Sequence, residues 1–136
     1  MTPDDAREFI RHNHRTVLAT RRRDGGVQMS PVAAVCDEDG TVLISSRETA
    51  VKVFNLRREP RAWLCVMNDG FFGEWVSVEG PATIESLPEA MEALVRYYRL
   101  GFGDHPDWDD YRAAMVRDQR VVIRVTIERA GPNVQG

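Results

Sequence analysis

Two cysteines in 136 residues, without a Cys-x-x-Cys spacing, offer neither a metal knuckle nor a redox pair. Cys36 and Cys65 fall inside apolar, strand-like runs and are expected to be buried free thiols, since an unpaired cysteine packs as a small hydrophobe. Excess charge is also scarce. With 18 basic and 21 acidic side chains the net charge is −3, so no chain-wide basic field points to nucleic acid or to an anionic membrane. No apolar run approaches the length needed to cross a bilayer. The opening Met1-Thr2-Pro3-Asp4-Asp5 lacks the basic start and apolar centre of a secretion signal, and the chain is expected to stay in the cytoplasm. A Gly-x-Ser-x-Gly elbow, a Walker loop and a dinucleotide fingerprint are all missing, which leaves hydrolase and nucleotidase chemistry without a scaffold. His12 and His14 stand two residues apart where a helix ends, with no third ligand in sequence reach, so no metal site is assigned. His105, in Asp104-His105-Pro106-Asp107, reads as exposed.

What is present is a run of short strands. Apolar residues at 43% and charged residues at 29% match an ordinary soluble protein, and residues 1–136 fit one domain without linker or repeat. Thr2-Pro3-Asp4-Asp5 starts a helix with an apolar stripe of Ala6, Phe9 and Ile10. Thr16 to Thr20 is a strand, and Asp24-Gly25-Gly26 turns it into a second, Val27 to Cys36. Pro31 interrupts that second strand and predicts an edge, a bulge, or backbone met by something other than a strand. Thr41 to Ser46 is a third strand. Ala62 to Met67, apolar throughout, reads as buried on both faces. Glu74 to Gly80 and Pro81 to Glu85 read as two segments about a bend, and Val121 to Ile127 as a last strand with strict alternation. Helices are expected from Leu87 to about Leu100 and from Asp109 to Arg117. The pattern predicts a mainly β fold, a small closed or half-closed β-barrel with peripheral helices.

The segment Ser45 to Arg61 changes from strand-like to helix-like within four residues and ends near Glu59-Pro60. Thr49 is the expected N-cap, which puts Ala50 at N1 and Lys52 at N3, beside the unpaired N–H groups of a helix start. Hydroxyls, a helix dipole and an ammonium together suit a phosphate; the alternative is a solvated surface lysine after a serine turn. Arg21, Arg22 and Arg23 at a hairpin tip, with Arg57, Arg58 and Arg61, form a rim that an anionic ligand tail would need, or else plain soluble surface. Trp75 is either core or a flat wall for an aromatic ligand.

Thr16 to Thr20, Asp24-Gly25-Gly26 with Met29-Ser30-Pro31-Val32, Lys52 to Arg61 and Trp75 to Ala82, in this order, resemble the pyridoxamine 5'-phosphate oxidase-like, FMN-binding split β-barrel family. The likeness is to its actinobacterial branch of F420-dependent (deazaflavin) oxidoreductases. The resemblance implies a homodimer with cofactor pockets at the subunit interface. Lys52 matches the helix lysine that holds the cofactor phosphate, with Ser45, Ser46 and Arg47 in the preceding loop and Thr49 and Ala50 at the helix start. Met29, Ser30, Pro31 and Val32 match the strand along the ring system, and Trp75 stands where FMN oxidases of this fold carry a glutamine. Val51 replaces the arginine of their Arg-Lys pair, which removes a fork of charge-assisted donors and favours coenzyme F420, a phosphodiester, over FMN. The implied activity is hydride transfer from reduced deazaflavin to a small conjugated acceptor such as an enone, quinone or tetrapyrrole. The alternatives are an FMN-dependent oxidase or reductase, and a carrier of F420, haem or a pigment without turnover. No catalytic residue is singled out.

Overall fold

The computed structural model describes residues 1–70 and 72–132. Helix α1 (Pro3–His12) opens as its sequence dictates: Thr2 caps it, Asp5 reciprocates from N3, and Ala6 and Ile10 are buried against the sheet. Strands β1 (Arg15–Arg21) and β2 (Val27–Ala33) form a hairpin, and β3 (Val35–Cys36) leads through a turn into β4 (Val42–Arg47). Helix α2 (Val51–Arg58) then joins β4 to β5 (Arg61–Met67), and β6 (Trp75–Glu85) follows. Helices α3 (Met91–Phe102) and α4 (Trp108–Arg117) precede β7 (Arg120–Val125) and β8 (Arg129–Gly131).

All strand pairings are antiparallel, and the sheet runs β2-β1-β5-β6-β7-β4-β3, with β8 beside β6. The second strand of the sequence reading is divided at Ala34, whose N–H bonds His14 instead of a neighbouring strand. By contrast the two segments expected around Gly80-Pro81 are one strand. Trp75 to Pro81 pair with β5, and Ala82 to Glu85 pair with β7, so β6 hands the sheet from one half to the other. Gly80 permits this: a Cβ there would lie 1.7 Å from the carbonyl oxygen of Thr126. Gly80→Ala is expected to destabilise the fold by about 2–3 kcal/mol, the upper range for overpacking, because the obstruction is backbone. Chemical denaturation checks this, and a loss below about 1 kcal/mol contradicts it.

Two apolar clusters flank the sheet. Leu18, Ile44, Leu64, Val66, Val78 and Ile123 belong to the one inside the curl; Leu43, Leu94, Tyr97, Tyr111 and Val122 belong to the one under α3 and α4. Because both faces of β7 are covered, Val121, Val122 and Ile123 are all buried, and the expected strict alternation fails there. The reverse holds for β5. Read as buried on both faces, it buries only Ala62, Leu64 and Val66, while Trp63, Cys65 and Met67 are half-covered on the outer side. Cys36 is buried and Cys65 is half-buried, both as free thiols. His105 is not exposed. Its ring packs 4.9 Å from that of Tyr98 and 5.4 Å from that of Tyr111, and it closes the loop between α3 and α4.

A buried ionic knot ties the far end of the sheet together. Asp37, 3% exposed, accepts from Arg96 on α3 at 3.0 Å and from Arg124 on β7 at 3.0 Å. Arg124 reaches Asp39, Thr41 and Glu85 as well. No helix among the described residues is long and apolar enough to cross a membrane.

Candidate functional site

β2 and β3 are the two ends of the sheet, and β3 covers only Val42 and Leu43 of β4. Past that pairing, Ser45 to Arg47 at the end of β4 face the free edge of β2, where Pro31 has no N–H to offer. This is an edge strand with its proline, as the sequence suggested. The unclosed seam is a cleft of about 330 Å³, lined by Pro31, Val32, Ser45, Ser46, Arg47, Thr49, Ala50, Lys52 and Arg120.

Thr49 is not the cap. Ala50 occupies that position with no side-chain hydrogen bond, because the chain leaves β4 through a turn closed by Ala50 N–H on Arg47 C=O at 3.0 Å. Lys52 is thus at N2, one residue earlier in the helix than expected, and the leading N–H groups lack a side-chain cap. Ser45, Ser46 and Arg47 belong to β4 instead of a loop.

Three cations meet in this cleft and no carboxylate lines it. Arg47 and Arg120 are cross-strand partners in the β4–β7 register, and neither they nor Lys52 makes an ion pair or side-chain hydrogen bond among the described residues. The Nε of Arg120 is buried without a partner. Burial pushes the Lys52 ammonium below the usual lysine range, and the Arg120 charge pushes it further the same way. Lys52 and Arg120 repel one another, and a bound anion would relieve that repulsion. Glu48, the carboxylate closest in sequence, is held by Arg57 at 2.9 Å.

The other expected residues lie elsewhere. Met29 is 67% exposed on the outer sheet face, and the Ser30 hydroxyl is buried without a partner. Trp75 begins β6 opposite Met67, which aligns with Arg15 and then Ala33, so three strand steps separate it from β2. Within the arginine rim, Arg57 pairs with Glu48, Arg58 with the Arg21 carbonyl, Arg61 with Glu79 and Glu128, and Arg22 with Asp24. Arg120, outside that rim, lines the cleft. Nothing local marks that residue in the sequence, since only the β4–β7 register sets it against Arg47. No group of three or more metal-ligating side chains occurs among the described residues.

The family model described as "Pyridoxamine 5'-phosphate oxidase" matches residues 2–132. The chain belongs to this family. Its curled antiparallel sheet with four helices is the family's split β-barrel. Among solved structures it is similar to the conserved hypothetical protein Rv2991 from Mycobacterium tuberculosis, with TM-score 0.76, 22% identity, and 100% of this chain and 93% of that one covered. It is also similar to a protein described as "F420 Reductase", with TM-score 0.70, 18% identity, and 91% and 94% covered. A heme binding protein from Mycobacterium smegmatis shares the fold at TM-score 0.67 and 18% identity, with 94% of this chain and 52% of that chain covered. The family includes oxidoreductases acting with flavin or related cofactors.

Proposed function

We propose that this protein is an F420-dependent oxidoreductase that grips the coenzyme's phosphodiester among Arg47, Lys52 and Arg120. The observation that carries the reading is the unpaired cation cluster at an uncapped helix start, in a cleft without a carboxylate. When bound, the reduced deazaflavin supplies a hydride to an electron-poor double bond or conjugated ring. The chain's own tasks are to bind, orient and exclude water. Lys52 and the Arg120 guanidinium would hold the phosphate, and Ser45, Ser46 and Thr49 would add hydroxyls. Pro31 and Val32 give the opposite wall a surface for a ring. Val51, at N1 and 56% exposed, adds no cation to the Arg47, Lys52 and Arg120 already in the cleft.

The reading includes a homodimer. In register, Met29, Ala19 and Trp63 lie side by side, as do Pro31, Val17 and Cys65, and then Ala33, Arg15, Met67 and Trp75. These outward rows are largely apolar and only partly covered within one chain. A second copy seated there completes the burial that the sequence of β5 calls for, and it gives Trp75 and Met29 a route to a cleft shared between subunits. Side-by-side titrations of purified protein with F420 and with FMN test the cofactor; tighter binding of F420 supports the reading, and a bound yellow FMN with no F420 binding overturns it. Sedimentation equilibrium tests the dimer, and a monomer at all concentrations contradicts it.

A further inference from the structure

A second hollow of about 410 Å³ shares Pro31 and Val32 with the cationic cleft and is otherwise bounded by His14, Arg15, Ala33 and Phe102. Its wall is mainly apolar. His14 is half-buried there, and it also borders a neighbouring hollow with Arg11, Cys36, Asp37 and Glu38. Its Nδ1 lies 2.8 Å from the carbonyl oxygen of Ala34, and its own carbonyl accepts the Ala34 N–H at 2.9 Å. A carbonyl oxygen only accepts, so the proton sits on Nδ1 and the ring is held in one orientation. Nε2 has no partner among the described residues.

We propose that the hollow, which the shared Arg15, Pro31 and Ala33 put at the rim of the dimer interface argued above, takes the electron acceptor and that His14, through Nε2–H, is the proton donor of the reaction. The inference rests on the F420 reading of the adjoining cleft. Reduction of a quinone needs a hydride and a proton. With the hydride delivered by reduced deazaflavin to one carbonyl oxygen of the quinone, forming its O–H bond, the π electrons shift through the ring to the other carbonyl oxygen, and that oxygen takes the proton from the imidazolium. A hydroquinone and neutral His14 result, and solvent restores the imidazolium. Imidazole is suited to general-acid work near neutral pH, whereas arginine, the other ionisable residue type in the hollow's lining, is not a proton donor in proteins. The charges that face His14 are Arg11 from α1, Arg15 on β1, and Asp37 and Glu38 after β3; Asp37 is already engaged by Arg96 and Arg124.

The test uses menadione as the acceptor. In ring-labelled wild-type protein without F420, menadione is expected to shift the His14 imidazole resonances in NMR spectra and to leave those of His12 and His105 in place. In protein loaded with reduced F420, His14→Gln is expected to keep the F420 dissociation constant within twofold. It should slow menadione reduction about 100-fold and flatten the fall in rate that wild type shows at alkaline pH. An unmoved His14 signal, or a variant with wild-type rate and pH profile, overturns the proposal. If the wild-type protein binds no F420, the reading of the cleft fails instead, and the two failures are separable.

Discussion

Asp37→Asn is expected to lower the stability of the protein by roughly 3 kcal/mol, the low end of the range for breaking one side of a buried ion pair. The low end applies because Arg96 is 35% exposed and Arg124 keeps Asp39 and Glu85 as partners. The effect is nonetheless large, since the Asp37 carboxylate joins α3, β7 and the turn before β4 in one contact set. Burial alone would raise its pKa. Hydrogen bonds from Arg96, the Glu38 N–H and Arg124 outweigh burial and bring it from 3.8 down to about 2. A carboxyl depressed on folding stabilises fully above its unfolded value, and the gain disappears as pH falls from about 4 through about 2. Wild-type stability should therefore drop across that window, and the Asn variant should drop less. Thermal melts check both statements, with an expected decrease near neutral pH of roughly 10 °C. A variant within about 2 °C of wild type would contradict the role assigned to the knot.

Lys52→Ala should weaken F420 binding by about 1.5–3 kcal/mol, or roughly 10- to 150-fold, the range for a hydrogen bond to a charged group. Folding should be spared. Lys52 has no internal ion pair and is repelled by Arg120, so its removal relieves a like-charge contact and takes away no native one. Binding to the variant should also be less sensitive to salt, because one screened attraction is gone. Arg57→Ala is the contrast: its guanidinium is 2.9 Å from Glu48 and outside the cleft, so affinity should stay within twofold. Isothermal titration at two salt concentrations reads all of this. An unchanged dissociation constant for Lys52→Ala removes the proposed phosphate site.

Local chemistry carried much of the architecture. The Thr2 capping box, the turn at Asp24-Gly25 and the proline on an edge strand each depend on a few adjacent residues, and each is where the sequence places it. What sequence periodicity misses is whatever covers a strand from outside. β7 breaks its alternation because α3 and α4 lie on it, while β5, apolar on both faces, is covered on one within the chain. Gly80-Pro81 looked like a break because the signal for a bend is local; that the bent strand stays paired on both sides depends on β5 and β7. β8 is too short to announce itself.

The candidate site divides in the same way. Lys52, Ser45, Ser46, Arg47, Thr49 and Ala50 are contiguous or nearly so, and Pro31 and Val32 carry their own edge-strand signal; all of them line one cleft. Arg120 enters only through strand register, 68 residues after Lys52. Arg57, Arg58 and Arg61 leave rim and plain surface open in the sequence, because clustered charge does not reveal the carboxylates and carbonyls that pair with it in space.

A crystal structure of the protein grown with F420 is the most direct measurement of the central claim. The account predicts the phosphodiester between β2 and the start of α2, with its oxygens in hydrogen-bonding contact with the ammonium of Lys52 and the guanidinium of Arg120. Density for the phosphate in any other hollow, with those two groups still unpartnered, would contradict it.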